Sequence, residues 1–304
     1  MKTIAEILSY LDTEKIEYKF VGDLETKIKG FASLSQYKTG SMTWVKSEKN
    51  IPVDFNPDAV TLAIIQDSVD ASAQNTIKTP ESKRVFYSII EHFFCPQNDR
   101  EPVGHGTYIS PNVKLGCNVK IGHNCSLDGE ITIGENTVIW DNVTIINRVE
   151  IGKNCTIQSG VRIGHDGYGY TEDQNHVKTM IRHYGGVNIG NDVFIGPNCS
   201  VYRGTIDDTI IGSGCKIDGN NFFGHNVILG ERVSVIAGTV FYGSVAVGDD
   251  AYIATSYIKN QVSVGSKAFI GMGSVVTKDV DPGTVVVGVP AKPLKPKIEV
   301  KEHL

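Results

Sequence analysis

From Leu115 onward the chain places an apolar residue at every sixth position. Leu115, Ile121, Leu127, Ile133, Ile139, Ile145, Ile151, Ile157 and Ile163 follow one another without a slip. The register resumes at Ile189, Ile195 and Val201. After a skip of four residues it runs through Ile211, Ile217, Phe223, Leu229, Val235, Phe241, Val247 and Ile253, and after a skip of five it ends at Val264, Ile270 and Val276. A hexapeptide period predicts a parallel β-helix, with three hexapeptides to a triangular coil and the apolar residue pointing inward from each flat face. Glycine often follows that residue, as at Gly116, Gly122, Gly134 and Gly152, where it is expected to permit the corner backbone. The 23 hexapeptides make about eight coils, and with strands ~4.8 Å apart the prism is roughly 37 Å long. Cys125, Cys155, Cys199 and Cys215 each lie four residues after the apolar position, where a small inward side chain fits.

Two interruptions of the register attract attention, because loops in a solenoid carry function. The first runs from Asp166-Gly167-Tyr168-Gly169-Tyr170 to Gly186 and contains His176 and His183; the second is the short skip at 255–261. A prism of identical rungs has no cleft of its own, so a projecting loop folded over a neighbouring copy would make one, and a homotrimer is expected.

Residues 1–100 follow another pattern. Thr3-Ile4-Ala5-Glu6 is a capping box ahead of Ile7, Leu8 and Leu11, which predicts a helix. Residues 41–47 and 59–66 read as short strands. Thr79-Pro80-Glu81 starts a second helix carrying Val85, Phe86, Ile89, Ile90, Phe93 and Phe94 on one face. The expected organisation is a small α/β domain at 1–100, a linker at 96–101, a parallel β-helix at 101–280 and an extended, Pro-punctuated tail at 281–304.

Composition narrows the function. With 29 Lys+Arg against 34 Asp+Glu the formal charge is −5, and no basic stripe suits nucleic acid. No apolar run approaches the ~20 residues of a membrane helix, and the amino-terminal stretch reads as an amphipathic helix and not a signal peptide. The six cysteines form no CxxC pair, so neither a zinc knuckle nor a disulfide scaffold is indicated. A cytoplasmic protein without a permanently bound cofactor or metal is expected.

Several motifs resemble one family, the UDP-3-O-acylglucosamine N-acyltransferases. They are Asp166-Gly167-Tyr168-Gly169-Tyr170; Arg203-Gly204-Thr205-Ile206-Asp207-Asp208-Thr209; Lys216-Ile217-Asp218; Gly224-His225-Asn226-Val227; and Ala237-Gly238 with Gly243-Ser244. The resemblance implies a left-handed β-helix, preceded by a nucleotide-binding domain, that transfers an acyl group to the amine of a nucleotide-linked amino sugar. It puts His225 on the general base, Asp218 on the acid associated with it and Asn226 on the neighbouring polar residue. The chemistry agrees: an amine attacking a thioester must shed a proton, and a histidine with an ordinary pKa near 6.5 is suited to take it. By the same resemblance Trp44 stacks the base with Ser47 beside it, and Asp166, Tyr168 and His183 belong to the substrate site.

The departures point to a variant of that chemistry. The family's second base-stacking aromatic is Asn50 here, its second histidine falls in the 255–261 skip where this chain has Gln261, and its double-helical carboxyl-terminal extension is missing. The tail Val286-Val287-Gly288-Val289-Pro290-Ala291-Lys292 looks instead like that of coenzyme-A-dependent sugar acetyltransferases. Gly243, Lys278 and Lys292 are therefore expected to hold the acyl donor, an acyl-coenzyme A or an acyl carrier protein. The lipid A enzyme itself, fed by acyl carrier protein, is the alternative. A γ-type carbonic anhydrase would need two closely spaced histidines near His225, and a non-catalytic scaffold would have no use for an outward His beside Asn.

Overall fold

The computed structural model describes residues 1–95 and 101–294, so all of the expected linker except Glu101 lies outside the described residues. The chain forms two compact units, Met1–Asn98 and Asp99–Leu304.

The first unit is a five-stranded sheet in the order Lys19–Val21, Thr76–Thr79, Leu62–Gln66, Ser41–Val45, Gly30–Phe31. Its first pair is antiparallel and the other three are parallel. Helix α1 (Ile4–Thr13) begins at Thr3, whose hydroxyl accepts from the Glu6 N–H while the Glu6 carboxylate accepts from the Thr3 N–H. This is the reciprocal cap that the sequence predicts. Ile4, Ile7, Leu8 and Leu11 pack with Val85, Phe86, Ile89 and Ile90 of α2 (Ser82–Phe93) and with Leu62, Ile64 and Ile77 of the sheet. Helix α2 starts later than Pro80 suggests because Thr79 still belongs to a strand, paired with Gln66.

The second unit is the mainly β, left-handed parallel β-helix that the hexapeptide pattern and the resemblance imply. Ile121 pairs with Ile139 and Ile139 with Ile157, so each regular coil is made of three hexapeptides. Sheets of ten, nine and eight strands make the faces, and one continuous core runs between them from Val119 to Val286. In its middle Phe223 and Phe241 stack with centroids 4.9 Å apart. Removing such a ring from a sealed core typically costs ~3–5 kcal/mol.

The corner glycines serve a purpose other than the expected one. Gly134 and Gly152 keep ordinary negative φ. What they lack is room: a Cβ on Gly134 would sit 2.6 Å from the Gly152 carbonyl carbon, and one on Gly152 2.6 Å from that of Gly190. The left-handed corner conformation is instead taken two residues later by Asn118, Asn136, Asn154 and Asp192, with φ of 58°, 58°, 56° and 58°, a region that Asn and Asp tolerate better than most residues. Their side chains form a ladder between coils: Asn118 Nδ2 donates to Asn136 Oδ1 (3.1 Å), Asn136 to Asn154 (3.3 Å) and Asn154 to Asp192 (3.3 Å).

The irregularities are also reapportioned. Ile157 pairs with Ile195, far beyond three hexapeptides, so the whole first loop is inserted into a single coil. The next coil runs from Val201 to its partner Phe223 and is longer than three hexapeptides by the skip of four, so that skip is an insertion as well, at 203–208. By contrast Phe241 pairs with Ile258, one position short of three hexapeptides. The skip at 255–261 is therefore not a projecting loop but a slightly shortened coil, with Ser256–Ile258 as an ordinary rung. Nor is the tail simply extended: Val285–Val287 adds to the sheet beside Phe269–Ile270, and Lys292–Pro293 folds back antiparallel on it.

The four inward cysteines are core filler, as their spacing suggests. Their thiols donate to carbonyls of the adjacent coil, at 3.0 Å for Cys125 on Trp140 and 3.2 Å for Cys155 on Gly190, and burial pushes the pKa of Cys199 and of Cys215 up to about 11. Cys95 and Cys117 are exposed. A thiol reagent at pH 8 is expected to modify Cys95 and Cys117 in the folded chain and to reach Cys125, Cys155, Cys199 and Cys215 only in denaturant, since the thiolate is the reactive form. Rapid native labelling of any inward cysteine would contradict this packing.

Candidate active site

Both insertions leave the prism at one corner, in consecutive coils, and His225 stands at the same corner of the next. Register stacks Phe223, Phe241, Ile258 and Val276, so the positions two residues on, His225, Gly243, Asn260 and Lys278, form one column. The column continues downward through Arg203, whose N–H donates to the His165 carbonyl at 3.0 Å.

The longer insertion is a β-hairpin, Tyr170–Glu172 against Lys178–Met180. Its return segment is gripped by the smaller insertion. Buried Arg203 donates through Nε to the Gly185 carbonyl at 2.6 Å, and Asp166 faces the Arg203 guanidinium at 3.9 Å. Asp208 accepts from the Gly186 N–H at 2.7 Å and from Arg148 at 3.0 Å. Burial raises the Asp208 pKa, but Arg148 and the Gly186 N–H outweigh it, and the carboxyl ends below its usual range. Gly185 is required here, because a Cβ would meet the Asp207 carbonyl at 2.4 Å.

The hairpin base thus lies over its own prism, and Tyr168 from it borders a half-open cavity of about 500 Å³ lined also by Tyr202, Phe222, Gly224, His225, Tyr242, Gly243, Ser244, Asn260 and Gln261. Contrary to expectation, a cleft exists within a single chain. Tyr202 and Phe222 meet edge to face, centroids 4.9 Å apart, and give the wall an aromatic character. His225 lies directly over Gly243: a Cβ there would be 2.5 Å from its Nε2.

The orientation of the imidazole follows from its neighbours. Asn226 sits at φ 60° and its amide is fixed from both ends, Nδ2 donating to the Asp207 carbonyl at 2.9 Å and Oδ1 accepting from the Thr205 N–H at 3.0 Å. His225 Nδ1 is 3.1 Å from that same Oδ1. An amide oxygen only accepts, so Nδ1 carries the hydrogen and Nε2 presents its lone pair to the cavity.

The other candidates divide. Asn226, Tyr168, Gly243 and His183 gather around His225; buried His183 lies edge to face with it at 5.5 Å. Asp166 is engaged with Arg203. Asp218 does not reach His225 within the chain: it follows Lys216–Ile217 on a different face, and its carboxylate accepts from the Gly219 N–H at 2.7 Å. The group that orients His225 is Asn226. Lys278 lies three rungs up the same column, roughly 14 Å away, and Lys292 belongs to the turned-back strand paired with Val285–Val287. In the first unit Trp44 is half-buried against Phe86 and Tyr87 of α2, with centroids 6.3 and 6.4 Å away, and Ser47 Oγ donates to Asn50 at 2.8 Å. Among the described residues no cluster of three or more His, Cys, Asp or Glu suits a metal ion, and no helix is long and apolar enough to cross a membrane. The sequence reading overlooked Tyr202, Phe222, Tyr242 and Thr205. The skip of four after Val201 marked where two of them lie.

Comparison with known proteins agrees with this architecture. The family described as bacterial transferase hexapeptide (six repeats) matches residues 130–165, and the hexapeptide repeat of succinyl-transferase matches 186–222 and 245–278. The UDP-N-acetylglucosamine acyltransferase of Francisella novicida superimposes with a TM-score of 0.58 at 27% identity, over 63% of this chain and 69% of that one. That of Bacteroides fragilis gives 0.57 at 25%, over 62% and 72%. Fold and repeats together define a hexapeptide-repeat β-helix, the architecture of these acyltransferases. Within that class the chain is similar to the UDP-3-O-acylglucosamine N-acyltransferases, the family its motifs resemble. It is 37% identical to the Methylorubrum extorquens protein over 141 residues, 44% of this chain, and 33% identical to that of Bordetella parapertussis over 122 residues, 39% of this chain. The matches span 38% and 34% of those relatives' lengths.

If Asn226 sets the tautomer of His225, Asn226→Ala should lower the turnover of a His225-dependent reaction by about a hundredfold, within the usual worth of a general base. Histidine-selective NMR should then show His225 no longer held as the Nδ1–H form. A variant that keeps both turnover and the tautomer would contradict the assignment.

Proposed function

We propose that the chain transfers an acyl group from a phosphopantetheine thioester to the amine of a nucleotide-linked amino sugar, with His225 as general base. The observation that carries this reading is the His225 Nε2 lone pair, fixed by Asn226 and turned into an aromatic-walled cavity. As the amine nitrogen attacks the thioester carbonyl, one of its protons passes to Nε2. The tetrahedral intermediate expels the thiolate, and the imidazolium returns the proton to sulfur. Asn260 and Gln261, which line the same cavity, are read as amide donors to the developing oxyanion. Asp218 enters this reading as a more distant acid, contributing charge and not contact.

The amino-terminal unit is read as the dock for the nucleotide, with the half-buried face of Trp44 and Ser47 toward the base. The donor is read as an acyl-coenzyme A, with Lys278 near its phosphates and Lys292 contributing from the tail. A second reading has support in the names of the curated relatives, namely the lipid A precursor enzyme using acyl carrier protein. Exposed cysteines suit a reducing compartment, which agrees with a cytoplasmic location.

The decisive experiment offers acyl-coenzyme A and acyl carrier protein thioesters against UDP- and TDP-amino sugars and against the free amino sugars. Turnover with coenzyme A thioesters, competition by free coenzyme A and dependence on the nucleotide are expected. Activity with acyl carrier protein alone favours the lipid A reading, and no transfer with any pair rejects both. His225→Ala should lose ~10²–10⁴ in kcat with little change in either KM. Retention of more than about a tenth of kcat would remove His225 from the base role.

We also read the chain as a homotrimer with sites completed between prisms. The hairpin exposes Tyr170, Val177, Met180, Ile181 and Tyr184, an apolar surface that suits a neighbouring copy. Sedimentation should give three times the chain mass; a fully active monomer would refute it.

A further inference from the structure

The oxygen that orients His225 is shared among three donors. Asn226 Oδ1 accepts from the Thr205 N–H at 3.0 Å and from the Thr205 hydroxyl at 2.9 Å, and His225 Nδ1 lies 3.1 Å from it. An amide oxygen has two lone pairs, so the donors outnumber them, and the imidazole N–H makes the longest of the three contacts. The amide cannot turn away to relieve the crowding. Its Nδ2 donates to the Asp207 carbonyl at 2.9 Å, and the Asn226 backbone N–H donates to the Thr209 hydroxyl at 2.9 Å. Gly204 brings the small insertion close against it: a Cβ on Gly204 would lie 2.8 Å from Asn226 Nδ2. Among the described residues Asn226 Oδ1 is the one acceptor that the Thr205 hydroxyl meets.

We propose that the Thr205 hydroxyl is a positioning group that holds the Asn226 amide and, by occupying its oxygen, limits the basicity of His225. Imidazolium donates from Nδ1 more strongly than neutral imidazole, so an acceptor at Nδ1 favours the protonated ring. An oxygen whose electron density is drawn by two other hydrogens is a poorer acceptor for the third. The hydroxyl therefore lowers the proton affinity of Nε2, and its loss raises it. On the acyl-transfer reading, on which this inference rests, Nε2 takes a proton from the amine as the C–N bond forms and returns it to sulfur as the C–S bond breaks. A ring held by an unshared acceptor would stay protonated to higher pH and would release that proton less readily. The other groups around the ring are the same with and without the hydroxyl. His183, whose buried Nε2 finds no partner among the described residues, lies edge to face with His225. Tyr168, Tyr202 and Tyr242 line the same cavity. Asp166 faces Arg203, Asp208 is held by Arg148, and exposed Asp207 meets Asn226 through its carbonyl.

The first test needs no turnover. Histidine-selective ¹⁵N NMR of the full chain follows the His225 titration in the unsubstituted protein, in Thr205→Val and in Thr205→Ser. The first variant keeps the branched shape without the hydroxyl, and the second keeps the hydroxyl. With Thr205→Val the midpoint should move to higher pH by a few tenths of a unit, the result of strengthening one charge-assisted bond by about 10–30%. With Thr205→Ser it should stay where it is in the unsubstituted protein. An unmoved or lowered midpoint in Thr205→Val, the same shift in Thr205→Ser, or an Nε2–H tautomer in the unsubstituted protein overturns the proposal. If Thr205→Val fails to fold, Thr205→Ala removes the same hydroxyl and is judged by the same outcomes. The second test is the rate against pH with the amino-sugar nucleotide that turns over. In Thr205→Val the acidic limb should move up with the titration, leaving kcat about twofold lower well below the limb, with the plateau kcat and both KM values little changed. A large loss at every pH would make Thr205 merely structural and overturns the proposal. If the titration moves and the limb does not, His225 is not the base and it is the acyl-transfer reading that fails. If no amino sugar turns over with any donor, that reading fails as well, and the titration alone decides what the hydroxyl does.

Discussion

The spacing between coils is the constraint on which everything else in the second unit depends. Backbones ~4.8 Å apart meet at every corner, and at Gly134 and Gly152 there is no space for even one carbon beyond Cα. The chain turns two residues later through Asn118, Asn136 and Asn154, whose amides tie each coil to the next. Side-chain-free contact, left-handed corner and amide ladder are three responses to the same few ångströms. They hold the inward apolar residues in vertical register, so that a position on one coil determines what lies above and below it.

A register this strict confines change to the corners. Extra residues can leave the prism only where a rung ends, and both insertions, the hairpin and the shorter segment at 203–208, do so in one column. The smaller one fastens the larger. Arg203 donates to the return segment of the hairpin and Asp208 accepts from it, while Thr205 and Asp207 fix the amide of Asn226. The same short insertion therefore anchors the hairpin and determines which nitrogen of His225 is free. The shortened coil from Phe241 to Ile258 passes beside this column, bringing Asn260 and Gln261 to the cavity rim.

Much of this was legible in the residues. Six-residue spacing is a direct consequence of three flat faces, and burial of Ile121, Ile139 and Ile157 at one stacked position follows from it. The capping box at Thr3 and the small-filler role of Cys155 and Cys199 are likewise local and came through. What was not legible depends on contacts between coils. The glycine after each apolar residue gives the same sequence signal whether it is wanted for its φ or for its missing Cβ. The skip at 255–261 looked like a loop because a one-residue deletion moves the inward position to Ile258. For His225, the family resemblance implied Asp218 as the associated acid, whereas the corner geometry supplies the adjacent Asn226. A partner on the preceding rung and a partner next in the chain were both plausible on paper, and only the three faces decide between them. His183 could be noticed by its type, but its unpaired nitrogen is a property of packing.

A solenoid of parallel rungs has a structural hazard at its ends, where a whole row of N–H and C=O groups faces outward and could recruit further strands. The ten-stranded sheet meets this by reversing direction. Among the described residues its final strand is Lys292–Pro293, laid antiparallel on Val285–Val287. A ring nitrogen without hydrogen cannot donate to an incoming strand, and a lysine beside it brings charge to the same edge. Among the described residues the reversal thus ends the parallel stacking on this face and presents a proline and a charge at its edge.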